Sequence, residues 1–325
     1  MGVRIDPGIV RESWSRVLGR FPHRSPWFID FPNSTVAVET VGIPAAVFVH
    51  PSGRKGVVPG STQAPWASLT AADGPASRLY LSLVAFAQVA LPVDSDVTIS
   101  LRQNSNPSTS PNEFFLSWSS REGLQDESRG IGINLLIGRT DRLQPWTKCL
   151  NEALDRLRAH HLISPRQKKA PHRTNAGGKS VAGERTNDFE IWIGRSEVVY
   201  TIERPIKFLA RGYNEPKAIP VPLGFFTNGW CAYLTGKETH TLFALLYQYA
   251  RQPTRPGHFV APVERDFLGI VDKSYQRALV RLVEAGFIVP VDIDRFNERR
   301  GKGARHDLPH EFNFDFGAFA KNPDA

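Results

Sequence analysis

The stretch RALVRLVEAGFI at residues 277–288 is a near copy of EALDRLRAHHLI at residues 152–163, 125 positions earlier. Five of the twelve positions agree: Ala278 with Ala153, Leu279 with Leu154, Arg281 with Arg156, Leu282 with Leu157 and Ile288 with Ile163. The register extends upstream without a gap. Asp266, Leu268, Lys273 and Tyr275 fall against Asp141, Leu143, Lys148 and Leu150. Apolar residues at three-and-four spacing mark one buried helix face, and the β-branched run after each copy marks a strand. Two unrelated amphipathic helices running into strands would give some of this agreement. The downstream sequence argues instead for a duplicated unit, because each copy is followed by its own basic, Gly/Pro-broken segment.

The segment behind the first copy, 164–185, holds six Lys/Arg against one Glu, and the segment 295–306 behind the second holds five against one. A strand-like run follows each: DFEIWIG at 188–194 and EFNFDF at 311–316. In the second unit the amphipathic stretch GKETHTLFALLYQYARQ, the turn TRPG, the Pro-led PVERDFLGI and the helix over 272–285 come before it. Asp272 is expected to cap that last helix and Gly286 to close it in the left-handed conformation. Earlier, ASRLYLSLVAFAQVAL predicts a buried helix over 76–91, and DVTISLRQ and EFFLSWSS predict strands. GINLLIG is an apolar run of either type, EVVYTIE reads as a further strand, and STVAVETVG and PAAVFVH have strand-like content. The expected fold class is α+β: a small N-terminal β-rich extension or arm over 1–75, a first unit over 76–205, a connector over 206–220 and a second unit over 221–325.

Helix, helix, helix, strand, basic loop, strand is the order of a winged-helix domain, and the last four elements of it follow the first copy too. Such a unit is suited to duplex DNA. A major groove of ~12 Å admits one helix, whose outer side chains meet base edges. Cations around it hold phosphates and fix the register. In the second unit Tyr275, Ala278, Leu279 and Leu282 should be buried, leaving Lys273, Ser274, Gln276, Arg277 and Arg281 to contact bases. Arg pairs bidentately with guanine and Gln with adenine. Arg299, Arg300, Lys302 and Arg305 in the second basic loop should hold phosphates, with Lys148, Arg166, Lys168, Lys169, Arg173 and Lys179 in the first unit. The first helix departs from this pattern. Its outer face includes the acids Glu152 and Asp155, and His161 stands where the second copy has Gly286.

A formal charge of +8 and a pI near 9.6 agree with a polyanionic partner. Two cysteines, Cys149 and Cys231, are too few for a disulfide framework or a thiolate zinc site. No apolar run has the length of a membrane span, so the chain is expected to be cytoplasmic and to have no membrane contact. There is no G-x-x-x-x-G-K-[ST] loop, no G-x-S-x-G elbow and no acid cluster for magnesium. His160 and His161 are neighbours that diverge by about 100° on a helix, and His306 and His310 flank Pro309. The chain is therefore read as non-enzymatic, without metal or cofactor. Trp192, Trp230, Phe225 and Phe226 read as packing aromatics rather than base-stacking ones.

Paired units of this kind on one chain resemble plasmid replication initiators of the Rep type. VPLGFFTNGWCAYLTGKETHTLFALL at 221–246 is also similar to helix-turn-helix regulators of actinobacterial type. The first resemblance implies that the second unit reads a repeated DNA site while the first handles pairing into a homodimer. It implies sequence-specific binding of double-stranded DNA by a replication initiator. A transcription regulator and an interaction module of a larger nucleoprotein complex are the alternatives, and the first 75 residues have no counterpart in either family.

Overall fold

Val10, Trp14 and Val17 recur on one helical face near the N terminus and are all buried. Pro7 starts the helix at a first-turn position, where a missing N–H breaks no internal bond. This is α1, Pro7–Arg20, an element beyond the strands expected of this segment. The computed structural model describes residues 7–20, 27–29, 38–48, 65–70, 75–90, 97–103, 113–120, 131–134, 146–160, 162–166, 173–174, 180–181, 187–191, 218–253, 255, 257–261, 265, 268–294, 296–297 and 311–323. The run EVVYTIE, most of the stretch read as a connector, and both basic tips lie largely outside the described residues.

After α1 come β1 (Trp27–Ile29) and β2 (Val38–Pro44). A 3-10 turn follows at Ala45–Val47, where β-branched content predicts strand. The N-terminal segment is thus mixed rather than β-rich, since it ends in the short helix α2, Pro65–Leu69. Next is α3, Pro75–Ala90, apolar on most sides and buried along most of its length. Strands β3 (Val97–Gln103), β4 (Glu113–Ser120) and β5 (Ile131–Asn134) follow. The first repeat helix is α4, Trp146–Ala159, leading into β6, Ile163–Arg166. A two-residue ladder, β7 (Arg173–Thr174) with β8 (Ser180–Val181), precedes β9, Asn187–Ile191.

The second half opens with β10 (Ala218–Pro222), within and just beyond the stretch read as a connector, and two single-turn helices, α5 (Gly224–Thr227) and α6 (Trp230–Tyr233). Then comes α7, Gly236–Arg251. Its start is fixed by a capping box. The Glu238 amide donates to the Thr235 side chain at 3.3 Å, and the Thr235 amide donates to the Glu238 carboxylate at 2.8 Å. The second repeat helix is α8, Asp272–Glu284, followed by β11 (Ile288–Pro290), β12 (Phe312–Phe314) and a 3-10 turn at Phe316–Ala320.

The two repeat helices end in the same local geometry. At the end of α8 the Phe287 amide donates to the Leu282 carbonyl at 3.0 Å, and at the end of α4 the Leu162 amide donates to the Leu157 carbonyl at 2.9 Å. These are the same bond, shifted by the repeat length, and in α8 it closes the helix through the left-handed Gly286. Ala153, Leu154, Leu157 and Ile163 are buried, and so are Ala278, Leu279, Leu282 and Ile288. Strand order matches too. β6 pairs antiparallel with β9, which pairs antiparallel with β3. β11 pairs antiparallel with β12, whose Phe312 bridges antiparallel to His258. The helices that precede β3 and His258, α3 and α7, are each 16 residues long.

In the first half β4 and β5 extend this arrangement into a five-stranded sheet, β5-β4-β3-β9-β6, and a separate sheet, β1-β2-β10, joins the N-terminal segment to the start of the second half. The architecture is α+β, with small antiparallel sheets. One continuous hydrophobic core runs through it, from α1 and β2 through α3 and α4 to α7, α8 and the C-terminal turn.

Candidate nucleic-acid interface

α8 is built to hide one face and show the other. Tyr275, Ala278, Leu279 and Leu282 are all at most 2% exposed, and the Tyr275 hydroxyl accepts from the Val260 amide at 3.3 Å. The opposite ridge begins with Lys273 and Arg277, both exposed. Ser274 and Gln276 flank it and are half-buried, and the buried Oε1 of Gln276 has no hydrogen-bond partner. The helix starts one residue earlier than its composition suggests. Asp272 is its first residue, and Val271 holds the cap position without a side-chain hydrogen bond. Gly286 takes the left-handed φ of 78° expected of it.

Arg281 is differently placed from the other four. Its guanidinium donates to Glu284 at 2.9 Å and lies 3.7 Å from Glu238. These carboxylates, Glu284 first, hold its proton more firmly than usual. Glu238 is the acid of the capping box at the start of α7, so Arg281 ties α8 to the helix behind it. Sequence spacing gave no sign of this, because Glu238 lies on another helix.

The first unit uses the matching arginine in the same way. Arg156 donates to the Ser68 carbonyl of α2 at 3.4 Å, and His160 Nε2 meets the Ser68 hydroxyl at 2.7 Å. The outer face of α4 shows Glu152 and Asp155 to solvent, with Arg158 donating to Asp155 at 3.1 Å. The position that carries Arg277 in α8 carries Glu152 in α4, so the same framework presents opposite charges. Lys148 lies on α4, Arg166 ends β6 and Arg173 starts β7. Arg299, Arg300, Lys302, Arg305, Lys168, Lys169 and Lys179 lie outside the described residues.

Between the two halves sits an aromatic junction that sequence reading did not single out. Trp66 of α2 stacks on Phe243 of α7 with ring centroids 5.8 Å apart and touches Phe48 at 4.4 Å and His240 at 6.4 Å. On the far side Trp14 meets Phe226 at 5.9 Å, and Trp230 donates to the Lys321 carbonyl at 2.9 Å. Phe225, Phe226 and Trp230 are buried, so they are unavailable for stacking on bases. Among the described residues no group of three His, Cys, Asp or Glu side chains could hold a metal ion, and no helix is long and apolar enough to cross a membrane. Comparison with family models, with curated proteins and with solved structures gave no match to this chain.

Proposed function

We propose that the chain binds double-stranded DNA in a sequence-specific manner through two winged-helix units, and that the second unit is the reader. One observation carries this reading. α8 buries its apolar stripe completely while Lys273 and Arg277 stand free of the core on its outer ridge, and the hairpin that follows is joined by a segment of net positive charge. A helix laid in the major groove brings its N-terminal residues to the base edges. That favours Lys273, Ser274 and Arg277 as readers. Gln276 stands beside them, whereas Arg281 reaches a base only by leaving Glu238 and Glu284.

The acidic outer face of α4 favours a different duty for the first unit. Glu152 and Asp155 repel phosphate, so α4 leaves the groove to α8, and its exposed face is free to pair protomers. Two like units on a basic chain, one reading and one not, agree with the role of a plasmid-type replication initiator working without catalysis or cofactor in the cytoplasm.

The test is a selection of bound duplexes from a random pool, followed by footprinting of the selected site. An initiator is expected to select tandem direct repeats, whereas a transcription regulator would select inverted ones. Arg277→Ala is expected to cost about 1–3 kcal/mol and to relax preference at one base pair. Unchanged sequence preference in that variant would remove α8 as the reading element. Affinity that does not fall with added salt would remove DNA as the partner.

A further inference from the structure

Trp66, Ala67 and Ser68 are consecutive in α2, yet each touches a different part of the molecule. Trp66 stacks on Phe243 of α7 and meets the His240 ring edge-on at 6.4 Å, and that ring hydrogen-bonds the Leu268 backbone. Ala67 lies against Gly269, so close that a Cβ on the glycine would come within 2.7 Å of its own. Ser68 faces the first unit. Its carbonyl accepts from Arg156 at 3.4 Å, and its hydroxyl meets His160 Nε2 at 2.7 Å. One short helix thus holds both the end of α4 and the turn that leads into α8. Adjacent Cα atoms stay about 3.8 Å apart whatever moves them, so Ser68 cannot shift and leave Ala67 in place. Closely packed interiors pass such a displacement on rather than absorb it.

We propose that α2 is a relay that couples the end of α4 to the start of α8. Loss of the Ser68 contacts loosens the Gly269 turn, and disturbance of that turn loosens the end of α4. Both directions are required, because a coupling free energy between two sites is reciprocal. The coupling belongs to the fold alone. Its consequence, that pairing of protomers through α4 steadies a DNA-reading α8, rests on the reading proposed above.

The experiment follows backbone amide hydrogen exchange in the full chain, which reports local opening residue by residue. At α8 the reporters are the amides of Ile270, Ser274 and Tyr275, which donate to the carbonyls of Arg265 and Val271. At α4 they are the amides of His160 and Leu162, which donate to Arg156 and Leu157. His160→Leu and Ser68→Ala each remove one side of the hydroxyl contact. Both are expected to speed exchange at the α8 reporters by about fivefold or more, the low end of couplings between sites. Ser68→Thr keeps the hydroxyl and should exchange as the parent does. Gly269→Ala is expected to speed exchange at the α4 reporters. The amides of Asn228 and Phe312, bonded to Gly224 and His258 away from this path, are the references and should change less.

Unchanged exchange at the α8 reporters in both variants overturns the relay. So does an effect of His160→Leu that Ser68→Ala does not share, because the path would then bypass α2. Equal acceleration at the references also overturns it, since the variants would then lower the stability of the whole chain. A chain that shows the expected pattern but binds no duplex keeps the relay and loses only the DNA reading.

Discussion

His240 places an ionisable ring where a charge is least tolerated. It is 5% exposed on α7 and faces Trp66 and Phe48, and its Nε2 is buried without a hydrogen-bond partner. Burial lowers its pKa from the usual 6.5 to about 3, against a weaker opposing effect of the Leu268 backbone. His258 is lowered to about 4, by burial first and by Arg255 second. In both cases the unfolded chain binds the proton more readily than the folded one. Their stabilisation is therefore complete above about pH 6.5 and is lost as the pH falls from there toward the folded values. The urea midpoint is expected to drop steadily between pH 7 and pH 4.5, above the range in which most carboxylates titrate. His240→Phe, which removes one of the two described rings that burial holds neutral and keeps an aromatic in place, should lower that slope. A variant with the full parental slope would show that His240 is protonated as easily folded as unfolded.

At the scale of the element, α8 is bracketed by two glycines that do different work. Gly269 has φ of 69° and Gly286 φ of 78°, so any side chain at either is strained. They differ in what surrounds them. A Cβ on Gly286 would find only Ala318 at 3.9 Å, an ordinary contact, whereas one on Gly269 would lie 2.7 Å from the Cβ of Ala67 in α2. Gly286→Ala is expected to cost about 1 kcal/mol, the conformational term alone. Gly269→Ala should cost more, by about 1–3 kcal/mol of overpacking, with an unchanged urea m-value. Equal costs would mean that α2 is not seated on this turn.

The same pair shows what a sequence reveals and what it hides. Gly286 follows the last apolar position of a periodic run, so its role is legible locally. The demand on Gly269 comes from Ala67, a contact that no local pattern contains. The buried stripe and the cations Lys273 and Arg277 were legible because helical spacing determines both. The pairing of Arg281 was not, because its partner belongs to α7. Strand β10 was hidden for a chemical reason. Pro220 and Pro222 give AIPVP the look of a connector, yet β10 lies at the edge of its sheet, where missing donors are tolerated. Helix α1 had its signal in Val10, Trp14 and Val17, but its partner Phe226 lies in the other half of the chain.

Over the whole molecule, the repeated helix-to-strand segment would suggest two independently folding halves on a tether. The packing argues otherwise. β2 of the N-terminal segment pairs with β10 of the second half, and Gln88 of α3 bonds both the amide and the carbonyl of Gly42 in β2 at 2.9 and 2.6 Å. Arg78 of α3 donates to the Leu234 carbonyl at 3.3 Å, just before α7. Helix α2 is the wedge: Ser68 holds α4 of the first half, and Trp66, fully buried, stacks on Phe243 of the second. With a core shared in this way, neither half has a complete interior of its own. The parent chain is therefore expected to unfold in one transition, with helix content by circular dichroism and tryptophan fluorescence falling together. Trp66→Ala should shift that single transition by about 3–5 kcal/mol, the usual effect of emptying a large aromatic site. The loss should appear equally in both signals, because the wedge belongs to both halves. Two resolved transitions in the parent, or a Trp66→Ala effect confined to one signal, would mean that the halves fold separately and that their spacing is set by a tether rather than by this junction.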